Sequence, residues 1–273
     1  MKLLKQSVAE IVGTYLLVLF GTGAVAAATI TGAQSGLWQV AVVWGFGITV
    51  AIYATGAISG AHLNPAVSLT FAIFRRDEFP IQNLLPYWCA QLIGGILGGL
   101  TILMTFGPFI KYFEESKGIV RGEPGSELSA MVFGEYFPNP AVFGTSVDAK
   151  ELISPIGALG IEAFGTGILV FVILALVDRR NSSISVKSLA PFFIGFTIAV
   201  LISIFAPLTQ GGWNPARDLG PRIVAFFAGW GLIAIPGPSA GFWIYIVGPL
   251  IGGPLGGLLY ETLIRKHLPL EKS

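Results

Sequence analysis

The stretch Ser59-Gly60-Ala61-His62-Leu63-Asn64-Pro65-Ala66-Val67 places a helix start in the middle of apolar sequence. Proline is tolerated at the first position of a helix because its missing N–H has no intrahelical partner there. An asparagine just before it is a good N-cap. The same Asn-Pro-Ala returns 150 residues later, at Asn214-Pro215-Ala216, followed at once by Arg217 and Asp218. Each of these triplets interrupts a long apolar stretch. Each therefore reads as a helix beginning inside a membrane segment, which is where transport proteins place polar sites.

Composition agrees with a membrane setting. Hydrophobic residues make up 53% of the chain and charged residues 11%, against about 25% charge in a soluble domain. A net charge of +1 without a basic run gives no reason to expect nucleic acid as a partner. Cys89 is the only cysteine, and His62 and His267 are the only histidines, so neither an intrachain disulfide nor a thiolate or histidine metal site is expected. Scanning for apolar runs of about 20 residues gives six spans, at 7–28, 38–58, 83–106, 152–177, 188–208 and 241–264. Two shorter stretches, 65–74 and 215–230, follow the triplets and read as half-helices. Met1-Lys2-Leu3-Leu4-Lys5 followed by an apolar run to Ala26-Ala27-Ala28 resembles a signal peptide. Glu10 inside that run, and the return of its pattern at 162, favour a mature helix.

The chain repeats itself. Glu10-Ile11-Val12-Gly13-Thr14 recurs as Glu162-Ala163-Phe164-Gly165-Thr166, an offset of 152 that matches the 150 between triplets. Each half, about 7–106 and 152–264, holds three spans and one half-helix, and an outer loop over 107–151 joins them into a single domain, 1–273. Three spans is an odd number, so the second half enters from the opposite face: an inverted 3+3 repeat. Lys2 and Lys5, Arg75 and Arg76, Arg179, Arg180 and Lys187, and Arg265, Lys266 and Lys272 fall on one side, which puts both termini in the cytoplasm.

The two half-helix N-termini, each worth roughly half a positive charge, converge near the midplane. Non-helical backbone is tolerated at that depth only where it is buried or lines a wet cavity. The lead-in segments 59–63 and 209–213 are rich in small residues. In extended form they aim a ladder of carbonyls into a lumen, from Gly60, Ala61 and His62 and from Gln210, Gly211 and Gly212. The amides of Asn64 and Asn214 then supply donors at the pore centre. The positive helix ends and Arg217 repel cations, and the apolar wall penalises a stripped ion. This design favours small uncharged solutes moving down a gradient.

Residues 59–67, 214–218 and the repeated Glu-x-x-Gly-Thr resemble the major intrinsic protein (aquaporin) family, in particular its glycerol facilitator branch, over about residues 7 to 268. The resemblance implies an all-α membrane protein of the aquaporin-like bundle type, with six transmembrane helices and two re-entrant half-helices. It also implies one pore per subunit and a homotetramer in a plasma, bacterial inner or archaeal membrane, with no cofactor. Glu10 and Glu162 become buried carboxylates that brace the re-entrant loops rather than proton carriers, and Asp218 braces a loop as well. Asp218, Arg222 and the long outer loop fit the glycerol branch. Tyr245, where that branch usually carries proline, resembles the water channels.

By matching, the outer selectivity filter comprises Trp44, Ile202, Gly211 and Arg217. Glycerol facilitators carry glycine where this chain has Ile202, and phenylalanine where it has Gly211. The resulting set resembles the permissive plant nodulin-like members. Trp44 is either a plate for a carbon backbone or plain bundle packing, and His62 either lines the pore or packs the loop. The expected function is passive passage of glycerol, water and other neutral solutes. The rivals are a water-dominant channel narrowed by Tyr245 and a coupled transporter built on broken helices. An adhesive junction protein and an enzyme fit less well, because the outer loop has seven acids against four bases and no nucleophile–base pair is evident.

Overall fold

A computed structural model describes residues 1–183 and 186–269. The six spans are α1 (Lys2–Thr29), α2 (Leu37–Ser59), α4 (Leu84–Lys117), α8 (Pro155–Val177), α9 (Ala190–Thr209) and α11 (Ile244–Leu263). Each is long and apolar enough to cross a membrane, alone or with its flanking turn. The half-helices are α3 (Pro65–Phe74) and α10 (Pro215–Ala225), of 10 and 11 residues. At 1.5 Å per residue each reaches about 15 Å, half the hydrocarbon thickness. Three short helices, α5 (Glu127–Ala130), α6 (Pro140–Phe143) and α7 (Val147–Glu151), cap one end. Large apolar side chains such as Phe46, Met104, Phe164 and Leu259 point outward from the bundle, as a lipid-facing surface requires. The chain is an integral, multi-pass membrane protein.

Packing follows the repeat. In the first half α1 lies between α2 and α4, and in the second α8 lies between α9 and α11. The half-helices cross over: α3 packs on α11 and α10 on α4. Backbones approach where side chains are smallest. A Cβ at Gly252 would overlap the Ala163 carbonyl, and one at Gly256 the Gly167 carbonyl. This is the small-residue contact by which membrane helices associate.

Several sequence boundaries move. The third span continues to Lys117 instead of ending near 106, with Pro108 inside the helix. The second half-helix ends at Ala225 rather than 230. The chain widens into a π-type turn over Phe226–Trp230, where Gly229 takes a φ of +106°. The last span begins at Ile244, because Ser239 and Ala240 sit at positive φ (55° and 50°) just before it. The loop 107–151 is largely helical and folds over the end of the bundle. Its Met131, Phe133 and Tyr136 pack against Ala26, Ile102, Ala225 and Trp230.

At the opposite end Arg75, Asp178, Glu261 and Arg265 form one ion-pair cluster. The Arg75–Glu261 contact is 2.5 Å and the Arg265–Asp178 contact 3.0 Å, and the Tyr260 hydroxyl donates to Asp178. The cluster ties the ends of α3, α8 and α11 together and gathers basic residues assigned to one side by their loops. Lys272, counted with them, lies outside the described residues.

Candidate functional site

The triplets start the half-helices. The Asn64 side-chain oxygen accepts from the Ala66 N–H, and that of Asn214 accepts from the N–H groups of Ala216 and Arg217. Pro65 and Pro215 occupy the position that lacks an amide partner. The side-chain amides then cross over. The Asn64 amide donates to the Trp213 carbonyl at 2.9 Å, and the Asn214 amide donates to the Leu63 carbonyl at 2.8 Å. The two tips are locked to each other, and each amide has one of its two N–H groups committed to the lock. The centre thus offers one further donor from each asparagine.

The lead-in segments are not extended. Gly60, Ala61 and Leu63 have φ of 83°, 48° and 51°, and Gln210, Gly211 and Trp213 have 61°, 80° and 44°. Two buried carboxylates hold this conformation. Glu10 accepts from the N–H groups of His62 (3.0 Å) and Leu63 (2.7 Å) and from the Ser59 hydroxyl and Gln91 amide. Glu162 accepts from the N–H groups of Gly212 (3.2 Å) and Trp213 (2.8 Å) and from the Thr209 hydroxyl. A trans peptide points its N–H and C=O in opposite directions. Anchoring those N–H groups on Glu10 therefore turns the Ala61 and His62 carbonyls away from it. Glu162 does the same for the Gly211 and Gly212 carbonyls. Among the described residues no hydrogen bond reaches the carbonyls of residues 60–62 or 210–212.

Those six residues line a cavity of about 150 Å³. Asn64 and Asn214 also line it, and Ile48, Val67, Leu169, Ile194 and Ile198 form its apolar wall. Trp44, Ile202, Gly211 and Arg217, the four positions expected at the outer filter, all border the same cavity. The Arg217 guanidinium stacks 4.4 Å from the centroid of the Trp44 ring. The His62 ring packs among Phe71, Phe79 and Tyr87 at 4.6–5.3 Å and lies near the Ser68 hydroxyl. Asp218 accepts from the Glu135 N–H (2.7 Å) and from Arg222 (2.8 Å), which tethers the outer cap to α10. Tyr245 is absent from the lining. It is buried behind the wall against Gly212, with Phe137 on its other side.

Two opposed half-helices locked at a lined cavity are a specific arrangement, and a family model described as major intrinsic protein matches residues 1–260. The chain belongs to that family. It is 40% identical over 266 residues to the glycerol uptake facilitator protein of Pseudomonas aeruginosa, covering 97% of this chain and 90% of the relative. It is 38% identical to the propanediol uptake facilitator of Citrobacter freundii, covering 97% and 93%. It is 37% identical to the glycerol uptake facilitator protein of Escherichia coli, covering 97% and 90%. Among solved structures, the aquaglyceroporin from Plasmodium falciparum superposes with a TM-score of 0.79 at 27% identity, covering 96% and 97%.

Three features of this major intrinsic protein escaped the sequence reading. Trp213 packs its ring into the space beside Gly165 and Gly211, as Leu63 packs beside Gly13. The bulk missing at Gly211 is therefore supplied from two residues away. The register of Leu63 before Asn64 and Trp213 before Asn214 was the available signal. Asn139-Pro140-Ala141 is a third triplet, in the outer cap. Asn139 caps α6 through the Ala141 N–H and donates to the Ala206 carbonyl at 3.0 Å, outside the cavity lining. The cap chemistry is the same, but no long apolar run surrounds it. The third is Glu135, a loop acid that is 1% exposed and paired with Arg217. Nothing local in the sequence announces its burial.

Proposed function

We propose that this chain is a passive channel for glycerol, water and other small uncharged solutes, with Asn64 and Asn214 at the pore centre and Trp44, Ile202, Gly211 and Arg217 at the outer filter. The observation that carries this reading is the two-sided lumen. Segments with uncommitted carbonyls, an aliphatic wall, the two asparagines and a guanidinium beside an indole all line one cavity. A polyol has the same two-sided character. Its hydroxyls donate to the carbonyls and accept from Asn64, Asn214 and Arg217, while its carbon chain slides along Trp44 and the isoleucines. Stripping an ion of water in the same passage is penalised by the apolar wall and by the positive helix ends. The relatives named as glycerol and propanediol uptake facilitators support this solute class.

Tyr245 was the sequence's argument for a water-dominant channel, and its position behind the wall removes that argument. The basic cluster at the end opposite the outer cap supports cytoplasmic termini in a plasma or bacterial or archaeal inner membrane. The exposed apolar helix faces are compatible with a homotetramer in the bilayer. In shrunken proteoliposomes, re-swelling is expected to be fast in glycerol and to match protein-free vesicles in sorbitol. Glycerol re-swelling no faster than that of protein-free vesicles would reject the channel, and uptake above equilibrium driven by a pH gradient would favour a coupled transporter.

A further inference from the structure

We propose that Trp213 is a specificity-determining residue of this channel: its indole supplies the wall that Gly211 leaves open, and so sets the largest solute that passes. The inference rests on the channel reading above and extends it to a residue outside the four filter positions.

The indole lies lengthwise between two glycines. A Cβ at Gly211 would stand 2.7–3.2 Å from Cη2, Cζ2 and Cζ3, at the six-membered end of the ring. A Cβ at Gly165, on α8, would overlap Nε1, Cε2 and Cδ1, at the five-membered end. The ring thus occupies the room that side chains at both positions would take. Gly211 lines the cavity, as do Leu169 and Ile173, which follow Gly165 at four and eight residues along α8. Residues four apart on a helix share a face. The indole therefore fills the place of the missing member of that row, and Trp213 itself borders the cavity.

The repeat supplies an internal comparison. In the first half Leu63 precedes Asn64 and packs against Gly13, as Trp213 packs against Gly165. The residue matching Gly211 at the same offset is Ala61, which carries a Cβ of its own. Leucine is therefore enough to fill the glycine notch on the span. What tryptophan adds is the six-membered ring, and that is the part that reaches Gly211.

The ring is placed by packing and not by a hydrogen bond. Trp213 is 2% exposed, and its Nε1–H meets no acceptor among the described residues. Phe205 stands edge-on beside it, with ring centroids 6.5 Å apart at 89°. The Trp213 backbone is fixed separately: its N–H donates to Glu162 and its carbonyl accepts from the Asn64 amide. A change of side chain at 213 therefore alters the wall and leaves the tip-to-tip lock in place. In a fitted apolar pocket a single added methylene is worth about 10–200-fold in discrimination, so the loss of half an indole is a large change for a passing carbon chain.

The test measures water, glycerol and erythritol permeability in proteoliposomes for wild type, Trp213→Leu and Gly165→Ala, with protein-free vesicles as the blank. Trp213→Leu copies the arrangement at Leu63 and opens the space against Gly211. Its erythritol-to-glycerol ratio is expected to rise at least about tenfold over wild type, because erythritol is one carbon longer. Gly165→Ala does the reverse. The three atoms nearest its new methyl all belong to the indole. With Gly211 at the far end and Phe205 at the side, the ring yields toward the cavity, and glycerol is expected to slow more than water. A merely structural role would lower protein yield and slow all three permeants in proportion. An unchanged erythritol-to-glycerol ratio in Trp213→Leu overturns the proposal. If that variant does not reconstitute, Gly165→Ala decides, and an unchanged glycerol-to-water ratio there overturns it. Absence of glycerol flux in wild type is a distinct result that overturns the channel reading itself.

Discussion

Asn214→Ala is expected to lower glycerol flux per reconstituted protein by at least about tenfold, a factor that corresponds to about 1.4 kcal/mol. The side chain does three things at once. It caps α10, which is worth about 1 kcal/mol. It satisfies the Leu63 carbonyl across the tip-to-tip junction, and leaving a buried acceptor unpaired costs about 1–3 kcal/mol. Its second N–H is also the donor that a passing hydroxyl meets at the centre. Losing all three loosens the junction and removes a donor from the cavity lining. Asn214→Asp separates the roles, because a carboxylate still caps the helix but cannot donate to Leu63. It also places a negative charge between two helix N-termini, so a cation leak is expected to accompany the fall in glycerol flux. Stopped-flow light scattering and a potential-sensitive dye read both quantities. Wild-type flux in the alanine variant would mean that the lock has no role in conduction.

The second large effect is expected at Arg217. Arg217→Ala removes the filter's donors and the cation over Trp44, and it strands the Glu135 carboxylate without its partner. Burial already pushes that carboxyl up, so without the arginine it is left protonated and unpartnered, and a buried unsatisfied polar group costs about 1–3 kcal/mol. The single variant is therefore expected to melt earlier in detergent, to admit larger polyols and to leak cations. Cation exclusion that survives in the single variant would contradict the electrostatic account of the filter.

How much of this could be read beforehand depends on how local the cause is. Residues 65–74 form a half-helix with the bounds expected from sequence, because Asn64 and Pro65 settle its start within three residues. The stretch 215–230 stops short at Ala225, because the left-handed turn at Gly229 accompanies the burial of Trp230 against Phe133, a contact made nearly 100 residues away in sequence. The carbonyl-bearing segments were recognised by their small residues. Their left-handed turns depend on Glu10 and Glu162, which reach in from other helices. Trp44, Ile202, Gly211 and Arg217 could be brought to one cavity by family matching, although they come from four elements.

The outer cap was illegible. Its order comes from pairings such as Arg121 with Glu114 (2.7 Å) and Lys150 with Glu127 (2.6 Å), and from the Trp230 indole donating to Ser129. None of these has a periodic signature. Asn139-Pro140-Ala141 gives the clearest lesson. The same three residues cap a helix equally well in a polar loop, so an apolar setting, and not the triplet alone, marks a channel centre.

The central claim is that solute travels single file past the junction of α3 and α10. A high-resolution structure of the reconstituted protein with glycerol tests it directly. The account requires glycerol at the filter with hydroxyls on Arg217 and carbons against Trp44, and further solute or water in line with the carbonyls of residues 60–62 and 210–212 and the free N–H groups of Asn64 and Asn214. A dry junction, with glycerol bound only outside the lumen or between subunits, would contradict it.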